Sequence, residues 1–187
     1  MAQRFPSIED RHREFVEKQR IFFVASAAPS GRVNVSPKGM DSFKVLGPSE
    51  VAYLDVTGSG SETAAHLRAC DDRRLTIMFC AFEGPPMILR LYGQAHSLPL
   101  GSTDYAALAH HFEALPGARQ IIRLDVDLVQ TSCGMAVPNF DYAGERDQLK
   151  NWATRHGKEG LRKYWRLKNM ESLDGLPTGF DPDAMSQ

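Results

Sequence analysis

Hydrophobic positions in this chain fall mostly into short alternating or continuous apolar runs, the spacing of β-strands, with helical periodicity limited to the two ends and two stretches between. Ile8, Phe15 and Val16 lie among charged residues behind Ser7 and Asp10, which predicts a capped amphipathic helix ending near Arg20. Residues 21–28 and 32–36 flank Pro29-Ser30-Gly31 and read as a hairpin. Residues 43–46 and 51–57 follow as two more strands, separated by Gly47-Pro48. Residues 75–82 and 87–95 are long apolar runs either side of Gly84-Pro85-Pro86, and predict a central hairpin buried on both faces. A crossover helix over 102–115, a half-exposed last strand over 121–129, an uncharged loop from Gln130 and a helical tail over 146–169, broken around Gly157, complete the chain. Strands joined by hairpin turns, with helices added rather than alternating, place the chain in the mainly β class. The expected fold is a six-stranded antiparallel barrel of Greek-key type, with an N-terminal helix and a C-terminal helical extension, in one domain over 1–187. A doubly wound dinucleotide fold is excluded by that order.

Composition narrows the function. With 187 residues, 42% hydrophobic and 24% charged, the chain reads as soluble and globular. Its formal net charge of -1 supplies no long-range basic field, so neither nucleic acid nor a membrane surface is expected as partner. Cys70, Cys80 and Cys133 are odd in number and far apart, which supports neither a disulfide framework nor a metal site but fits free thiols of the cytoplasm. The N-terminus turns charged at once, and no apolar run approaches the roughly 20 residues that span a bilayer, so no export signal or anchor is expected.

The stretch with most chemical content is Gly58-Ser59-Gly60 after a strand, with Ser61 at a helix N-cap position ahead of Glu62-Thr63-Ala64-Ala65. Glycines allow close approach of the backbone, and the free N–H groups of a first helical turn suit a phosphate. A flexible turn before an ordinary cap is the competing reading. A cation ~4 Å from a phosphate charge gives about 4 kcal/mol at an effective dielectric near 20, against ~0.3–1 kcal/mol from the helix terminus, so the loop needs a basic partner. Lys38, ending a strand beside a turn, is the first candidate, or else a solvated lysine. Arg90, inside an apolar run, is the second; its alternatives are an internal pair with Asp55 or Glu62, or an edge position. Glu62 opposes phosphate unless its carboxylate points to water. His66, one turn further on, could hydrogen-bond a ligand oxygen or a local partner. Cys133 lacks an adjacent base, and Trp152 and Trp165 suit core or interface anchors.

In this order, Val33-Asn-Val-Ser-Pro-Lys-Gly, the stretch from Tyr53 through Asp55 to Leu67, Leu75-Thr-Ile-Met-Phe, Ile88-Leu-Arg-Leu-Tyr-Gly-Gln-Ala and Gln130-Thr-Ser-Cys-Gly-Met-Ala-Val-Pro-Asn-Phe-Asp-Tyr resemble the pyridoxamine 5′-phosphate oxidase-related family of FMN-binding split barrels. The resemblance covers about residues 22–176. It implies a homodimer with FMN between two barrels and an oxidoreductase acting on a small molecule. The alternatives are a non-catalytic FMN-binding or carrier protein, or a barrel holding another ligand, such as haem or a deazaflavin, or none. It implies that the strand ending Val35-Ser36-Pro37-Lys38 runs along the flavin and that Gly60 to Thr63 (Gly60, Ser61, Glu62, Thr63) hold the phosphate; Tyr53, Asp55, His66 and Arg90 are expected in the same site. Ser132, Cys133 and Gly134 are the expected contribution of the other subunit. True pyridoxamine phosphate oxidases resemble one another in a basic pair where this chain has Glu62-Thr63, and in a terminal Arg-bearing strand that it lacks. The phosphate charge is therefore expected to fall on Lys38 and Arg90, and oxidation of pyridoxamine phosphate is not expected.

Overall fold

The computed structural model describes residues 2–184, so the domain read over 1–187 extends past the described residues at both ends. Eight strands form one antiparallel sheet in which neighbours run β3-β2-β6-β7-β8-β5-β4, with β1 added beside β8. They are β1 (Gln3–Phe5), β2 (Phe22–Ser26), β3 (Asn34–Lys38), β4 (Phe43–Gly47), β5 (Glu50–Val56), β6 (Arg74–Cys80), β7 (Ile88–Pro99) and β8 (Ala118–Ser132). The helices are α1 (Asp10–Glu17), α2 (Glu62–Ala69), α3 (Thr103–Ala109) and α4 (Gln148–Lys168). The fold class is the expected one, with eight strands in place of six.

The sheet curls until its ends meet without pairing. β3 and β4 lie at opposite ends of the order, yet the Phe22 ring of β2 packs 5.3 Å from the Phe43 ring of β4, and Lys38 of β3 reaches Asp55 of β5. This seam makes the barrel split. Inside, Val24, Tyr53, Ile77, Phe79, Leu89, Leu91, Ile122 and Leu124 form the main core, all at most 1% exposed. Each such aliphatic or aromatic side chain contributes about 1.5–3 kcal/mol by leaving water.

Several local expectations are corrected by tertiary contacts. Helix α1 is capped at Glu9, whose N–H donates to His12 Nδ1 at 3.1 Å, because Ile8 N–H is held by the Pro48 carbonyl at 2.6 Å and keeps Ser7 outside the helix. Helix α3 ends at Ala109, and Leu108, Phe112 and Leu115 pack on the sheet from a helix end and loop. Strand β8 runs on through Gln130 to Ser132, where a loop was expected, because β1 and β7 flank it there. Burial on both faces falls on β5 and the start of β8, which α3 and the loop after it cover. β6 and β7 instead alternate, with Thr76, Met78, Arg90 and Tyr92 half-exposed on their outer face. The break at Gly157 is present as a left-handed residue (φ 58°) within α4.

Gly93 sits where β7 shifts register against β8. A Cβ there would stand 1.9 Å from the Asp125 carbonyl oxygen, so only glycine allows the two strands this approach.

Candidate functional site

The connection from β5 to β6 crosses the seam and carries the glycine turn and α2. Strand β5 stops at Val56 because Thr57 turns inward: its N–H and Oγ1 both bond the Gly117 carbonyl, at 2.8 and 2.7 Å, and Trp165 Nε1 of α4 donates to Thr57 Oγ1 at 2.8 Å. Gly58 to Ser61 then lead into α2, whose first intrahelical bond runs from Ala65 N–H to the Ser61 carbonyl (3.2 Å). The N–H groups of Glu62, Thr63 and Ala64 precede it, so no carbonyl within the helix is placed to accept from them. Ser61 occupies the N-cap position but its side chain makes no cap bond. Its Oγ is buried and has no hydrogen-bond partner among the described residues.

Beneath the turn lies a buried charge network. Asp55 accepts from Arg119 Nε (2.8 Å), from Gln120 Nε2 (2.8 Å) and from Lys38 Nζ across the seam (2.7 Å). Burial by itself would push the Asp55 carboxyl up; the charges and hydrogen bonds of Arg119 and Lys38 outweigh it and hold it well below the usual carboxylate range. Arg119 also donates to Asn169 Oδ1 at 2.8 Å, and Asn169 Nδ2 donates to the Gly58 carbonyl at 3.2 Å, so α4 fixes both the guanidinium and the turn. Arg119 Nη2 stands 3.9 Å from where a Cβ of Gly58 would be. Two cations against one carboxylate leave this floor with a positive excess.

The turn, β3 and the tail after α4 enclose a cavity of about 590 Å³, within the roughly 300–1,000 Å³ range of small-molecule sites. Of the residues picked out from sequence, Ser36, Pro37, Lys38, Asp55, Gly60, Ser61, Glu62 and Thr63 line it. The Glu62 carboxylate is turned to the tail, where both its oxygens accept from Leu173 N–H, at 3.0 and 3.1 Å. Val35 projects to the opposite side of β3 and is exposed. Tyr53 is wholly buried in the core against Phe22, and burial, then the Asp55 charge, pushes its hydroxyl up. His66 is buried against β2, its Nδ1 lying 3.0 Å from Ser26 Oγ, a partner 40 residues away in sequence.

Arg90 is not brought to the cavity of its own chain. Register places it in one row with Pro37, Phe23, Met78 and Gln130, the outer face of the sheet, whereas Lys38 shares the inner face with Phe22. It pairs with neither Asp55 nor Glu62 but donates to Ser132 Oγ at 3.2 Å. Ser132, exposed Cys133 and Gly134 stand at the end of β8 opposite Arg119. The sequence reading missed Arg119, Gln120, Asn34 and Asn169. Asn34 Nδ2, on the cavity wall, is a second buried donor without a partner among the described residues. The signal that could have found Arg119 is the one applied to Arg90, a guanidinium beside an apolar strand.

Residues 8–133 match the family model for pyridoxamine 5′-phosphate oxidase. The chain belongs to the pyridoxamine 5′-phosphate oxidase family. It is 40% identical over 191 residues to the pyridoxamine 5′-phosphate oxidase family protein ustO of Aspergillus flavus, an alignment covering 92% of this chain and 76% of that protein. Among solved structures, HupZ of Group A Streptococcus aligns with TM-score 0.53 and 17% identity over 67% of this chain and 99% of that one. A candidate pyridoxamine 5′-phosphate oxidase from Lactobacillus delbrueckii gives 0.51 and 15% over 67% and 94%. These similarities establish the split-barrel fold of the family. Among the described residues, no helix is long and apolar enough to cross a membrane, and no cluster of His, Cys, Asp or Glu could hold a metal ion.

Proposed function

We propose that this chain is a flavin-dependent oxidoreductase acting on a small molecule, with FMN held by its phosphate at the barrel seam. The observation that carries the reading is the buried, unpartnered Ser61 hydroxyl beside the free first-turn N–H groups of α2, above a floor with excess positive charge. Each unmet buried donor of this kind costs about 1–3 kcal/mol, which an anionic oxygen acceptor would recover. The donor set fits a phosphate: Ser61 Oγ, the N–H groups of Glu62 and Thr63, Lys38 Nζ, and Arg119 under Gly58. Asp55 holds both cations in place, and Glu62 keeps its carboxylate turned to Leu173. Bound FMN would supply the hydride chemistry, while the chain binds, orients and desolvates it.

We also propose that the active unit is a homodimer. Val33, Val35 and Met135 are 70%, 60% and 82% exposed, and the outer face of β6 and β7 carries half-exposed Met78 and Tyr92, an apolar surface that suits a second copy. That copy could bring Ser132, Cys133 and Gly134, which cannot reach the cavity of their own chain, to the flavin of its partner.

The purified protein is expected to show a flavin absorption spectrum, to release FMN on heating, and to cycle between reduced and oxidised flavin with turnover of a substrate. A flavin that binds but is never reduced by any donor would make the chain a carrier. A colourless protein that takes up no added FMN would contradict the proposal.

A further inference from the structure

The tail after α4 folds into a small hairpin whose tip spans the cavity. Glu171 bridges Pro177, Ser172 N–H bonds the Leu176 carbonyl at 2.9 Å, and Gly175 turns with φ 77°. The base of the hairpin is fixed by wholly buried Asn169 and by Thr178, whose N–H bonds the Met170 carbonyl at 3.0 Å. Its tip is tied to both walls of the cavity. On one side Leu173 N–H is held by both oxygens of Glu62, at the start of α2. On the other, Asp174 accepts from Arg32 N–H at 2.7 Å and pairs with the Arg32 guanidinium, just before β3. Glu171, Ser172 and Leu173 therefore stand across the phosphate end of the cavity.

We infer that this hairpin determines which flavin the site accepts: it closes the phosphate end, so that a terminal phosphate fits and a dinucleotide does not. The inference rests on the flavin-phosphate reading above. A phosphate esterified to an adenylate would have to continue past Glu171, Ser172 and Leu173, which line that end of the cavity. Its second phosphate would also meet the carboxylates of Glu62 and Glu171, which line the cavity, and like charges at close range are unfavourable. Glu62 thus has a use in a position where a carboxylate otherwise opposes phosphate binding.

The test is the affinity of the whole protein for riboflavin, FMN and FAD, in the wild type and in Asp174→Ala, which frees the tip without touching a phosphate-binding group. The wild type should bind FMN tightest and FAD at least about tenfold more weakly, a difference of ~1.4 kcal/mol. In Asp174→Ala, FAD affinity should rise by about tenfold while FMN affinity stays within about threefold, as expected where one charge-assisted tether is lost. Asp174→Asn, which keeps an acceptor for Arg32 N–H, should retain most of the discrimination. If Asp174→Ala fails to fold, Arg32→Ala, which keeps the Arg32 N–H bond to Asp174 and removes the guanidinium, should raise FAD affinity in the same direction and by less. FAD binding as tightly as FMN in the wild type, or an unchanged FAD-to-FMN ratio in a folded, tip-released variant, overturns the inference. FMN binding no tighter than riboflavin would instead overturn the phosphate reading on which it rests.

Discussion

Arg119→Met is expected to lower stability by about 3 kcal/mol, the lower end of the cost of removing one partner from a buried ion pair, and to abolish retention of FMN. The side chains of Arg119 and Asp55 are each 4% exposed, so the Asp55 carboxylate would keep only Lys38 and Gln120, and Asn169 Oδ1 would lose its donor. For a chain of this length each kcal/mol moves the melting temperature by roughly 2–4 °C, so a drop of about 10 °C should appear in a thermal melt. Adding Asp55→Asn to Arg119→Met removes the uncompensated charge and should recover part of the loss, a coupling of about 0.5–3 kcal/mol in a double-mutant cycle. FMN binding should not recover with it, because the cation under Gly58 is still missing. A single Arg119→Met variant that melts with the wild type and stays yellow would show that the network is not what holds the turn.

Lys38→Met should act on binding more than on folding. Its side chain is 19% exposed at the seam, where water can solvate Asp55 in part once it is gone. Loss of a charge-assisted contact of about 1.5–3 kcal/mol should weaken FMN roughly 10- to 100-fold and leave riboflavin nearly unchanged. Arg90→Met, on the opposite face of the sheet, should leave the FMN-to-riboflavin ratio as in the wild type. Titrating both flavins against the two variants by fluorescence quenching checks this. A Lys38→Met variant whose FMN-to-riboflavin ratio matches the wild type would remove Lys38 from the phosphate site.

The contrast between Arg90 and Arg119 shows where sequence reasoning ran short. Both are guanidiniums beside apolar strand residues, and nothing local distinguishes them. Arg119 differs because its partners, Asp55 and Asn169, lie 64 and 50 residues away and meet it only once the sheet has curled and α4 has docked. The glycine turn and the cap position of Ser61 were legible because they are local: Gly58-Ser59-Gly60 cannot continue a strand, and α2 begins directly behind Ser61. That the Ser61 hydroxyl makes no cap bond was not legible, since cap geometry depends on how the turn is pulled down by Thr57 and Trp165. The apolar runs of β6 and β7 are strands as expected, but within the single chain only their inner face is buried. Apolarity marks a face to be covered without saying by what. In this chain α3 and the loop after it cover β5 and the start of β8, leaving the outer face of β6 and β7 half-exposed. Glu62 illustrates the same limit, because its partner, Leu173 N–H, is a backbone group that no side-chain pattern announces.

The decisive measurement is a crystal structure of the protein grown with FMN. Phosphate density is expected against Ser61 Oγ and the N–H groups of Glu62 and Thr63, with Lys38 and Arg119 on its inner side. Flavin density lying elsewhere, or a cavity holding only solvent in the presence of excess FMN, would contradict it.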